Sequence, residues 1–127
     1  MEFYGRLSCP DYEGVALNHA EQRRLVADLG SHPAMILRNH GLLTVGESPA
    51  QAFLRMYYLD KACEIQTTAT AAAGTRLVIP AADICELPAR RLTGEDDSSD
   101  LQDDRAYELA WSALLRLVEQ VAPDCKD

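Results

Sequence analysis

Three histidines (His19, His32, His40) and four cysteines (Cys9, Cys63, Cys85, Cys125) are the side chains that open the widest range of chemistry in this 127-residue sequence. A catalytic zinc site takes three protein ligands and keeps one position open, and two of the ligands are commonly histidines at short spacing. No His-x-His or His-x-x-x-His occurs, and no Cys-x-x-Cys pair does. A Gly-rich phosphate loop and a Gly-x-Ser-x-Gly nucleophile elbow are also missing from the pattern. Taken alone, each histidine reads as a surface or hydrogen-bonded residue. The scattered cysteines read as reduced thiols of a cytoplasmic protein, with Cys63 packed in a helix.

Charge narrows the partners. The formal net charge is −8, and six of the acids fall between Glu95 and Asp104 with no base among them, which leaves −2 for the rest. Clustered Lys and Arg, which phosphate contacts require, are lacking, so neither nucleic acid nor an anionic membrane is an expected partner. The acidic run reads as a solvated loop. No window approaches the ~18 apolar residues of a membrane span, and the first residues carry no leader pattern.

The elements that must position any site follow from spacing. Residues 2–8 roughly alternate and predict a strand. A first helix is expected from a cap at Asn18, with Glu21 three residues on, to Leu29, where Gly30 stops it. After Pro33, two short apolar runs, Met35-Ile36-Leu37 and Leu42-Leu43-Thr44-Val45, flank Asn39-His40-Gly41. Asn and Gly tolerate positive φ, so two strands joined by a tight turn are expected, with Gly41 a candidate for the left-handed position. Ser48-Pro49 starts a long helix. Its apolar stripe Ala50, Phe53, Leu54, Tyr57, Tyr58, Ala62, Ile65 and Ala69 is expected in the core, and Gly74 ends it. A short helix from Ala81 to about Leu87 and a last one from about Asp103 to Val121 complete the chain. From the residues alone this is an α/β domain with nearly half its residues hydrophobic, enough for one core.

The segment Met35-Ile-Leu-Arg-Asn-His-Gly-Leu-Leu-Thr-Val-Gly46, followed by Ala52-Phe53-Leu54 and Tyr57-Tyr58-Leu59-Asp60-Lys61-Ala62-Cys63-Glu64, resembles the class II aldolase/adducin family. So do Asp11-Tyr12-Glu13-Gly14, the stretch Arg24 to Gly30, and the closing Ala110-Trp111 to Arg116. The resemblance implies an α/β fold: part of a three-layer α/β/α domain with a mixed, mainly antiparallel sheet and a long helix after the Asn-His-Gly turn. It also implies that residues 1–127 form a single truncated domain, the C-terminal half of the family unit.

In the metal-using enzymes of the family, the histidine of Asn-His-Gly is one of three histidine ligands to a divalent ion, usually zinc, and it corresponds to His40. Such an ion polarises the oxygens of a hydroxy-ketone as a carbon–carbon bond is made or broken. The His-x-His pair and an acid/base glutamate of those enzymes belong before residue 1. The resemblance therefore implies an ancestrally zinc-dependent aldolase, an aldehyde-lyase of carbonyl or sugar substrates, whose metal this chain alone holds weakly or not at all. Three outcomes stay open: no independent activity, with His40 a relic; activity when another chain completes the site; or a non-catalytic adducin-like interaction module. No catalytic residue is assigned, and neither His19, His32 nor Glu13 gains a role. A homo-oligomer is the expected assembly, because family enzymes are commonly tetramers and an opened sheet edge favours pairing.

Overall fold

The computed structural model describes residues 2–11, 19–73, 76–92 and 104–126. Strand β1 is confined to Leu7–Ser8. Residues 2–5 form a turn instead of the expected strand, because Gly5 takes φ +68° and the Arg6 amide donates to the Phe3 carbonyl at 3.1 Å. Helix α1 spans His19–Leu29; the expected cap Asn18 and the tempting carboxylate Glu13 lie outside the described residues. Gly30 ends α1 as its sequence position suggested, with φ +55° and its amide bonded to the Val26 carbonyl at 3.1 Å. Arg24 pairs with Glu21 and Asp28 along the helix, and the Ser8 hydroxyl donates to the Asp28 carbonyl at 2.6 Å, tying α1 to β1.

Strands β2 (Ala34–Leu37) and β3 (Gly41–Thr44) form the antiparallel hairpin that the two apolar runs predicted. β1 joins β2 in parallel, giving a small mixed sheet of order β1-β2-β3. Ala34 and Met35 are fully buried at its centre.

Helix α2 runs from Pro49 to Ala73. Its start is built as the Ser48-Pro49 pair implied: the Gln51 amide donates to the Ser48 hydroxyl, and the Gln51 side-chain carbonyl accepts from the Glu47 amide. The Thr44 hydroxyl bonds the Ala52 carbonyl at 2.9 Å and pins α2 to β3. Helices α3 (Ala82–Leu92) and α4 (Asp104–Val121) follow, then a 3-10 turn at Pro123–Lys126. α3 runs past its expected end near Leu87 and carries Pro88 inside it. Ala89, next to it, is fully buried. α4 lies against α2, where the Phe53 and Trp111 rings meet edge-on at 5.4 Å. The fold is α/β.

Of the eight residues expected in the core along α2, only two are buried. Ala50 and Leu54 are buried, joined by Leu59, but Phe53, Tyr57, Tyr58 and Ile65 stand 47–68% exposed. The reason is length. A 25-residue helix spans ~37 Å, far more than a strand of four residues can cover at ~3.3 Å each. Leu109, Leu117 and Val121 of α4 are more than half exposed as well.

Candidate functional site

The Asn-His-Gly motif sits at the tip of the β2–β3 hairpin. Leu37 and Gly41 close the ladder, leaving a loop of Arg38, Asn39 and His40. The His40 amide donates to the Leu37 carbonyl at 3.0 Å, and Asn39 takes φ +57° at the third position of the turn. The left-handed residue is thus Asn39 and not Gly41, whose φ is ordinary. Asparagine tolerates that region because its short amide can bond locally. Arg38, Asn39, His40 and Gly41 are all exposed, so the hairpin lifts the imidazole out of the core. Arg38 reaches the Asp11 carboxylate at 2.9 Å and braces one flank of the tip.

A divalent ion held by protein alone needs several donors at this place. Among the described residues, no group of three His, Cys, Asp or Glu side chains comes together to hold one. His40 by itself therefore does not complete, among the described residues, the metal centre the family resemblance implies. His19 is exposed at the first turn of α1, with Nδ1 3.2 Å from the Gln22 side-chain oxygen. His32 is half-buried in the α1–β2 connection. Neither comes near the tip by any contact described. Cys9, Cys63 and Cys85 are free thiols.

At the other end of the hairpin lies an open cleft of about 630 Å³, lined by Arg6, His32, Glu47, Gln51, Arg55 and Glu86 among others. Arg55 on α2 is its most engaged side chain. One Nη donates to the Val45 carbonyl at 2.7 Å, while Nε lies 3.9 Å from the Glu2 carboxylate and is buried without a hydrogen-bond partner. Burial pushes the Glu2 carboxyl above its ordinary value against the weaker pull of Arg55. Tyr107 of α4 is also pushed up, chiefly by burial and then by the Glu2 charge, with Arg55 opposing. Sequence reasoning missed this group entirely, since its members are separated by some fifty residues each way. Next to it, Leu54, Tyr58, Ala62 and Ile65 of α2 and Ala106 and Ala110 of α4 line an apolar groove of about 450 Å³. Tyr57 and Tyr58 form an exposed edge-on ring pair at 5.5 Å.

The sequence carrying this arrangement has known counterparts. The profile described as Class II Aldolase and Adducin N-terminal domain matches residues 1–67, from the N-terminal turn through most of α2. The chain belongs to the class II aldolase and adducin family. An aldolase class 2 protein of Pseudomonas aeruginosa is 42% identical over 121 residues, which are 92% of this chain and 44% of that protein. Rat alpha-adducin is 41% identical over 71 residues, 55% of this chain and 10% of the adducin. The crystal structure of an aldolase II superfamily protein from Pseudomonas syringae superposes with a TM-score of 0.83 at 36% identity, covering 99% of this chain and 48% of that one. The chain therefore spans about half the length of the bacterial relatives it matches. No described helix is long and apolar enough to cross a membrane.

Proposed function

We propose that this chain supplies one histidine, His40, and its supporting hairpin to a divalent-metal centre of the class II aldolase type, zinc by family resemblance. The carrying observation is the place of His40: exposed at a turn whose backbone is fixed by Asn39 and whose strands anchor in the fully buried pair Ala34 and Met35. The remaining ligands and the acid/base carboxylate come from polypeptide outside residues 1–127. With one ligand in hand, the chain by itself has no aldehyde-lyase activity; carbonyl or sugar substrates belong to the completed site. The assembly is oligomeric and cytoplasmic in this reading, with no role for nucleic acid. An adducin-like interaction module is the second reading, favoured by the 41% identity to rat alpha-adducin over 71 residues.

Zinc analysis tests the premise of the first reading, that this chain holds one ligand of the set and no more. The chain alone, dialysed against zinc-free buffer, should retain well under one equivalent, and His40→Ala should retain no less. Stoichiometric zinc that disappears in His40→Ala would show that the chain builds a full site itself.

A further inference from the structure

We propose that the groove between α2 and α4 binds a small organic cation, an alkyl- or arylalkylammonium whose charged end meets the Glu2 carboxylate and whose apolar body lies between the helices. The groove has no residue in common with the His40 tip, and the proposal does not rest on the metal-centre reading.

The sizes of the facing side chains open the groove. Where two helices pack, the residues at the contact set their separation. Phe53 and Trp111 meet edge-on at 5.4 Å and hold α2 and α4 apart. Ala62, Ala106 and Ala110 line the space beside them and are too small to fill it. A groove of about 450 Å³ results, with the buried Leu54 in its lining. Small-molecule sites have volumes of this order, and they are mostly apolar with a few placed polar groups.

The charges in the lining decide what it takes. Among the described residues these are Glu2 and Lys61. Lys61 is satisfied, because its ammonium donates to the Glu64 carboxylate at 2.6 Å, both residues being exposed. Glu2 is not. Its side chain is only 17% exposed, and among the described residues no hydrogen bond reaches it. Arg55 is the nearest cation, yet its Nε stays 3.9 Å away without a hydrogen bond, and one Nη is held by the Val45 carbonyl. Burial accordingly keeps the Glu2 carboxyl above its ordinary value in spite of Arg55.

A carboxylate so placed gains most from a donor that brings its own charge, since charge-assisted hydrogen bonds are about twice as strong as neutral ones. The Tyr58 and Tyr107 rings in the same lining add surfaces that a cation favours. An anion is repelled by Glu2, and the unpartnered Nε of Arg55 is buried beyond its reach. An uncharged apolar ligand desolvates the carboxylate further and gives it no partner, which is costly.

The test is an NMR titration of the full 127-residue chain with three probes of similar shape: phenethylamine, phenethyl alcohol and hydrocinnamate. The expected result is saturable binding of phenethylamine that shifts the Ala62, Ala106 and Ala110 amides and leaves His40 still. The alcohol and the carboxylate should bind at least tenfold more weakly. Glu2→Gln should lower the affinity for phenethylamine at least tenfold and leave that for the alcohol unchanged. Ala106→Leu, at an exposed position of α4, fills the groove without altering a charge and should weaken phenethylamine as much. Should that variant fail to fold, the probe comparison on the unaltered chain decides. Equal affinity for amine and alcohol overturns the proposal, because the groove is then an apolar surface blind to charge. Amine binding that survives Glu2→Gln or a folded Ala106→Leu overturns it too, as does a shift pattern centred outside the groove. Amine binding that fades as the chain self-associates, with the same amides shifting, assigns the groove to a second copy and has the same consequence. So does the absence of saturable phenethylamine binding.

Discussion

At the residue scale the Asn-His-Gly turn divides its tasks differently from what its sequence suggests. Asn39 carries the left-handed φ of +57°, whereas a Cβ added to Gly41 meets nothing within 4 Å and no unusual φ. Asn39→Ala should therefore cost about 1 kcal/mol, while Gly41→Ala should stay within about 0.5 kcal/mol of the parent, since alanine is the better strand residue. Urea melts of the two variants check this; the reverse order would mean the turn is built on Gly41 after all. Gly46 is the glycine that packing demands. A Cβ there would lie 2.6 Å from the Ala52 amide nitrogen, inside the first turn of α2, and backbone cannot step aside as a side-chain end can. Gly46→Ala should lower stability by roughly 2 kcal/mol, read as a shift in the same urea midpoint. The motif was visible in the string of residues, but which of two permissive residues takes positive φ depends on the loop length between paired strands.

At the element scale, the start of α2 and the end of α1 were legible, while the end of α3 and the helix faces were not. Ser48, Pro49 and Gly30 act through their own backbone and nearest neighbours, so local sequence is enough to place the start of α2 and the end of α1. Which side of α2 is covered depends on what lies opposite, and α4, whose Trp111 meets Phe53 from far along the chain, decides it. The same holds for the Glu2–Arg55–Tyr107 group, where the N-terminal turn, α2 and α4 converge. It yields a pH signature. A carboxyl whose folded pKa is raised favours folding most fully below its unfolded value of 4.5, and that contribution is lost as pH rises through the folded value. Glu2→Gln should remove the loss, so the stability gap between parent and variant should shift in favour of the variant from about pH 4 to about pH 8. Urea midpoints across that range, compared between the two proteins, read the effect. A constant gap would mean the Glu2 charge is as well solvated folded as unfolded.

At the scale of the whole molecule, apolar surface is the dominant fact. Ile65 on α2 is 68% exposed and Leu109 on α4 is 63% exposed, although helical spacing alone would put residues of their kind in a core. Side chains that exposed contribute little to the stability of the folded chain, yet adjacent exposed apolar groups favour association. The two effects can be separated by experiment. Replacing both, Ile65→Glu with Leu109→Glu, should leave the urea midpoint within about 0.5 kcal/mol of the parent, as surface substitutions do. The same change should weaken self-association of the chain, because it replaces two exposed apolar side chains with like charges. Sedimentation over a hundredfold concentration range should show dimers or larger species for the parent and a shift toward monomer for the double variant. A parent that remains monomeric throughout would mean that its apolar helices do not drive contact between copies. A variant that loses stability instead would place Ile65 and Leu109 inside the fold, with α4 packed more closely on α2 than the edge-on contact of Phe53 and Trp111 indicates.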